Sequence, residues 1–208
     1  MDNPKLSQLK IIAQSAEEVV SELRSIRIAN NYQFVPGSGN PNAEIVIVGE
    51  APGKNEALTG LPFVGSAGKL LDTLLASINL NRDEVFITSV LKDRPPKNRD
   101  PKPDEIKLYG PFLIQQLDVI QPKIVVALGR FAMEFLINQY EIMNEMPPIS
   151  KLHGQAIKFK ANFGSPIFLP LYHPAAALYN QRLKSTIFDD FKQIKILLES
   201  LNSNTGME

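Results

Sequence analysis

A chain of 208 residues, 44% hydrophobic and 21% charged, is long enough for one well-buried domain and short for two. It has no cysteine and two histidines, which excludes disulfides, thiolate nucleophiles, zinc–thiolate and cysteine-held iron–sulfur sites, and argues against a polyhistidine metal centre. Lys+Arg and Asp+Glu both count 22, so any contact with nucleic acid must come from a local basic surface and not from net charge.

No apolar run approaches the ~20 residues of a membrane span. The start, MDNPKLSQLK, lacks the apolar core of a signal peptide. A soluble, cytoplasmic protein with no membrane partner is therefore expected. Residues 5–27 then place Leu6, Leu9, Ile12, Ala16, Val19, Leu23 and Ile26 at helical spacing. This predicts one N-terminal helix over 4–29, lying on the core. Residues 35–42, VPGSGNPN, read as a turn-rich connector.

Four short apolar runs follow, at 45–48, 85–90, 124–128 and 167–171. Helical patterns at 66–78 and 104–120 separate the first three, and another stands at 130–140. HGQAIKFK at 153–160 has the pattern of a hairpin arm before the fourth strand. A last helix is expected over 185–201, and residues 202–208 as a frayed, disordered tail. Continuous apolar strands alternating with helices predict an α/β fold, a single domain over 1–208 whose parallel sheet is covered on both faces.

The irregular segments fall where the strands end. GEAPGKNE follows the first, KDRPPKNRDPKP the second, GR the third and YHPAAALYNQR the fourth. Ligands of open parallel sheets bind at the carboxyl ends of the strands, so four segments converge on one rim. In the first, Gly49 and Gly53 let backbone approach a ligand and Pro52 stiffens the turn. Glu50 and Glu56 are candidates to orient a water, and Phe63 is a ring that stacks on a planar ligand. His173 ends the fourth strand on the same rim, whereas His153 has no such context and reads as structural. Lys92, Arg94, Lys97, Arg99 and Lys102 form a stiff basic edge suited to phosphates, extended by Arg182 and Lys184. Neither GxGxxG nor GxxxxGK[ST] is present, so no dinucleotide or nucleoside-triphosphate site is supported.

Together these segments resemble the uracil-DNA glycosylase superfamily, and its family 4 most. The matching stretches are GEAPGKNE at 49–56, TGLPFVGSAGKLLD at 59–72, VFITSVLKDRPPKNRDPKP at 85–103, IVVALGR at 124–130 and YHPAA at 172–176. The resemblance implies a three-layer α/β/α sandwich around a four-stranded parallel sheet. It also implies hydrolysis of the N-glycosidic bond of uracil, or a related deaminated base, in DNA, by a monomer that flips the base into a pocket. It assigns Gly49, Ala51, Pro52 and Gly53 to the pocket wall and Phe63 to stacking. His173 would bond the uracil carbonyl, Glu50 or Glu56 would place the water, and Leu178 would enter the duplex. Some relatives carry aspartate where Ala51 stands.

Two departures from that family stand out. Its usual members hold a 4Fe–4S cluster through four cysteines; here those positions fall near Glu22 and Ser25 and at Asp93 and Tyr109, so no cofactor is expected. Ser89 replaces the family's asparagine, which implies a less strict base pocket. Two other readings compete: a catalytically weak or inactive DNA- or nucleotide-binding relative of the same fold, and a small-molecule enzyme on an unrelated doubly wound fold.

Overall fold

The computed structural model describes residues 3–204. Its first element, α1 (Pro4–Glu17), starts at Asn3, whose side chain accepts from the Lys5 N–H at 3.0 Å. A second helix, α2 (Glu22–Ala29), follows after a break. The single helix expected over 4–29 is therefore two. Ser21 adopts an extended backbone and its Oγ accepts from the Arg24 N–H at 3.0 Å, which caps a new helix where the apolar spacing alone would run on.

The sheet contains β1 (Ser38–Gly39), β2 (Ile45–Gly49), β3 (Phe86–Ser89), β4 (Ile124–Leu128), β5 (Ile157–Lys158) and β6 (Ile167–Leu171), in the order β1-β3-β2-β4-β6-β5. Its centre, β3-β2-β4-β6, is the expected four-stranded parallel sheet. The whole sheet is mixed and six-stranded, because a two-residue antiparallel strand covers each edge. β1 arises from the turn-rich connector and β5 from the segment read as a hairpin arm. Two residues carry no alternation for a sequence to display, yet they occupy edges that would otherwise offer unpaired N–H and C=O groups.

The helices are α3 (Lys54–Thr59), α4 (Ser66–Ser77), α5 (Pro103–Ile120), α6 (Arg130–Tyr140), α7 (Ile149–Leu152), α8 (Ala175–Tyr179) and α9 (Leu183–Asn204). Residues 202–204 extend α9 instead of fraying, and the rest of the expected tail lies outside the described residues. Successive strand residues point to opposite faces. Ile45, Ile47, Ile87, Val126 and Leu169 pack with α4 and α9 through Leu71, Leu74, Ile187 and Phe191. Val46, Val48, Phe86, Val125 and Phe168 pack with α5 and α6 through Leu113, Leu117, Met133 and Leu136. These are the three layers of the sandwich.

A smaller cluster holds α2 to the body through Leu23, Phe34, Leu91 and Tyr109. At its heart Tyr109 donates to Asp93 Oδ2 at 2.7 Å, and Ser21 Oγ lies 3.1 Å from the same phenol oxygen. Arg27 Nε sits 2.8 Å from Asp93 Oδ1, while its terminal nitrogens bind the Glu17 carboxylate and carbonyl. Asp93 and Tyr109 stand at two of the four positions where the resemblance implied cluster cysteines. A hydrogen-bonded carboxylate and phenol in a chain without cysteine do not fit such a cluster. Glu22 and Ser25, near the other two positions, stand outside this group: Glu22 pairs at the surface with Lys102, and Ser25 Oγ donates to the Ser21 carbonyl.

Burial pushes the Asp93 carboxyl and the Tyr109 phenol up, the hydrogen bond between them working against burial at Asp93. Removing the cation leaves that carboxylate uncompensated inside the protein. Arg27→Ala is expected to cost about 3–5 kcal/mol in urea denaturation. Glu22→Ala, at an exposed pair, is expected to cost less than about 1 kcal/mol. Equal losses in the two variants would show that the buried group does not hold α2 in place.

Candidate active site

The carboxyl ends of β2, β3 and β6 open into one cavity of about 400 Å³. Glu50, Ala51, Pro52 and Gly53 wall it after β2, Ser89 at the end of β3 and His173 after β6, and Glu56 reaches in from α3. Most of the residues expected at a shared site are thus brought together. Gly49 lies underneath, where a Cβ would sit 2.6 Å from the Phe63 ring. Only a bare backbone lets the ring lie against the end of β2. Phe63 is 7% exposed, and its ring is stacked on His173 with centroids 5.5 Å apart and planes 27° apart.

Glu56 has a defined local task. Its Oε1 accepts from the Val64 and Gly65 N–H groups at 2.9 and 2.8 Å. Gly65 is the N-cap of α4, so this carboxylate satisfies orphan donors at a helix start and complements its dipole. Glu50 has no such engagement. Burial, and then the Asp100 charge, push its carboxyl up to about 6 against the opposing effect of Arg130. A carboxylate of that kind is mostly ionised at neutral pH and more basic than an ordinary one.

His173 is tuned in the opposite direction. Burial drives its imidazole down to about 4, with the Glu56 charge opposing, so the ring is neutral at pH 7. The tautomer follows from the backbone. The Ala175 N–H donates to Nδ1 at 3.1 Å, so the proton resides on Nε2. A neutral ring of this tautomer offers a hydrogen-bond donor to a carbonyl oxygen and carries no net charge. Ser89, 4% exposed, presents a hydroxyl that rotates to donate or accept.

The basic edge is sorted by the structure into different fates. Lys92 is not on it: the side chain is buried, and Nζ donates to Thr88 Oγ1, the Ser89 carbonyl and Gln116 Oε1 at 2.6, 2.7 and 2.9 Å. Burial pushes its ammonium down to about 7. It braces the end of β3 beneath Ser89. Arg94 folds back over the Tyr32 ring and donates to Asn98 Oδ1. Arg99 lines the cavity while its guanidinium grips both Glu105 oxygens. Lys97, Leu178, Arg182 and Lys184 are exposed outside the cavity. His153 bonds Asp190 at 2.8 Å and packs on Tyr172, in keeping with its structural reading.

Asn98, Pro95, Pro62 and Ala175 also line the cavity. Asn98 was legible only as part of a basic loop; a left-handed backbone, φ 53°, turns it toward the rim. Tyr179, beside Leu178 on α8, is 91% exposed.

A family model for the uracil DNA glycosylase superfamily matches residues 36–194. The chain is 45% identical over 186 residues to a type-4 uracil-DNA glycosylase of Archaeoglobus fulgidus, covering 87% of this chain and 92% of that protein. Similarity to a type-4 uracil-DNA glycosylase of Sulfurisphaera tokodaii is also 45%, over 188 residues, 88% of this chain and 84% of the relative. A type-5 uracil-DNA glycosylase of Thermus thermophilus is 32% identical over 154 residues, 66% of this chain and 69% of that one.

Nitrogen NMR should find His173 protonated on Nε2 at pH 7 and titrating near pH 4. Replacing Glu56 with glutamine should lower that midpoint further, since a neighbouring anion favours the imidazolium. A midpoint near the ordinary histidine value would contradict the desolvated, neutral ring.

Proposed function

The chain belongs to the uracil DNA glycosylase superfamily, and from that membership we propose that it hydrolyses the N-glycosidic bond of deoxyuridine in DNA, the first step of base excision repair. A base inside a duplex is out of reach, so the nucleotide turns out of the stack into the cavity. Phe63 stacks on the pyrimidine ring. The backbone from Gly49 to Gly53 and the Ser89 hydroxyl meet its polar edge. As the bond from C1′ to N1 lengthens, the electron pair moves onto the base and gathers at O2. His173 donates Nε2–H to that oxygen. Glu50 orients a water and accepts its proton as the water oxygen bonds C1′.

The observation that carries this reading is the state of His173. A neutral, pre-oriented donor stabilises charge that appears only in the transition state, worth on the order of 3 kcal/mol. Of the two glutamates, Glu50 suits the water better, because Glu56 Oε1 is committed to two backbone amides. Outside the cavity, Lys97, Arg182 and Lys184 face the phosphates from the exposed rim. Leu178 and its neighbour Tyr179 supply apolar surface that offsets the unstacking. Arg94 and Arg99 act on DNA only through what remains of their donors after Asn98, Tyr32 and Glu105 are served.

Ser89 bears on base choice. An asparagine amide matches the O4 and N3–H edge of uracil in a bidentate way, whereas a serine hydroxyl meets one atom. A broader preference among deaminated bases follows.

The deciding assay incubates the protein with single- and double-stranded oligonucleotides containing uracil and measures abasic sites. Abasic sites are expected; none in either substrate would refute the reading. The rate should rise with pH through about 6, because Glu50 accepts a proton only when ionised, and the fraction ionised grows as pH passes its pKa. Glu50→Gln should remove that limb and slow excision by about 10²- to 10⁴-fold. Ser89→Asn should raise uracil excision by about ten- to a hundredfold and narrow the preference against hypoxanthine and xanthine. An unchanged preference would take Ser89 out of base discrimination.

A further inference from the structure

Phe63 combines two properties that rarely coincide. Its ring lines the cavity, and its backbone lies in the left-handed region at φ 52°, which an aromatic residue seldom adopts. Such a conformation persists only when its surroundings impose it. Both peptide planes around it are held from outside the pocket. Arg82 Nη1 donates to the Phe63 carbonyl at 2.9 Å, and Arg82 Nη2 donates to the Pro62 carbonyl. Nη1 also meets Asp72 Oδ1 on α4 at 2.9 Å, which fixes the guanidinium.

The helix beneath is cut to fit. At Gly68, in the first turns of α4, a Cβ would lie 1.8 Å from the Phe63 carbonyl oxygen. No other residue leaves that oxygen where Arg82 meets it. Beyond Phe63 the next two amides, Val64 and Gly65, donate to Glu56. The segment is therefore gripped by a cation on its carbonyls and an anion on its amides. Arg82 itself stands on the turn between α4 and β3 and does not line the cavity.

We propose that Arg82 is a positioning residue for base excision: its guanidinium holds the Pro62–Phe63 peptides so that the Phe63 ring presents a fixed stacking face. This rests on the glycosylase reading above. The planar fork matters, because two carbonyls and a carboxylate are met at once; a lysine ammonium reaches them only as a point charge. Arg82 acts through Phe63 and touches no reacting atom. Its partly exposed side chain allows replacement without opening the core.

The test is a double-mutant cycle read by single-turnover uracil excision, with amide exchange at Val64 and Gly65 as a second measurement. Arg82→Ala should slow excision by about ten- to a hundredfold while DNA affinity changes little, since a small misplacement of a substrate-positioning group is costly. Arg82→Lys should fall between, and it replaces the alanine variant if that one fails to fold. In a Phe63→Ala background the loss of Arg82 should cost nothing further. Exchange at Val64 and Gly65 should quicken in both Arg82 variants. An Arg82 effect that persists undiminished without Phe63, or excision unchanged in Arg82→Ala, overturns the proposal. Should the unaltered protein excise no uracil, the glycosylase reading fails. Exchange still decides the clamp: unchanged rates at Val64 and Gly65 mean that Arg82 does not hold the segment.

Discussion

An aromatic ring can rest against a strand end only where the backbone carries no side chain, and the whole pocket is arranged around that contact between Phe63 and Gly49. The ring cannot retreat, because His173 stacks on it at 5.5 Å. It cannot swing out, because its backbone is pinned by Arg82 and the segment after it by Glu56. Each neighbour thus has its position set by the same approach. The strand end leaves room for the ring, the loop provides it, and β6 delivers the imidazole that stacks on it. A cavity for a planar ligand is the geometric remainder.

Burial then separates the two ionisable groups that matter. Desolvation disfavours whichever form is charged, so it lowers the pKa of His173 and raises that of Glu50. The outcome is a neutral donor beside a carboxylate that remains mostly ionised at neutral pH. Neither group needs a strong partner to reach that state. The Ala175 amide, a backbone donor of a short helix, decides which imidazole nitrogen carries the proton. A neutral imidazole can still donate a hydrogen bond to an oxygen that gains charge, with no reorganisation at that moment.

Away from the pocket, the region beside α2 is tied together by a buried charge and hydrogen-bond group. Asp93 accepts from Tyr109 and pairs with Arg27, which in turn holds Glu17. The group joins α1, α2, the loop after β3 and α5 without any cysteine. Such a group differs physically from a metal-held one. Its strength depends on charge and on water exclusion, so a single lost partner leaves a buried orphan.

The sequence alone determined the elements whose signal is local. The apolar runs at 124–128 and 167–171 and the helical period at 130–140 are observed with those same bounds, because burial on both faces writes itself into consecutive residues. Convergence of the loops after β2, β3 and β6 on one cavity followed from the parallel order, and with it the grouping of Glu50, Ser89 and His173; the segment after β4 does not line that cavity. Tertiary structure decided what depends on distant partners. Lys92 sits in a loop with several cations, and nothing nearby in sequence distinguishes it; Gln116, 24 residues on, helps to bury it. The break before α2 places Arg27 against Asp93, a pairing no helical spacing encodes. The edge strands are too short to alternate. Phe63 has a left-handed backbone, and its carbonyl meets Arg82, 19 residues later, in space that Gly68 leaves open. Periodicity is a property of neighbours along the chain, whereas charge burial and backbone strain are settled only by neighbours in space.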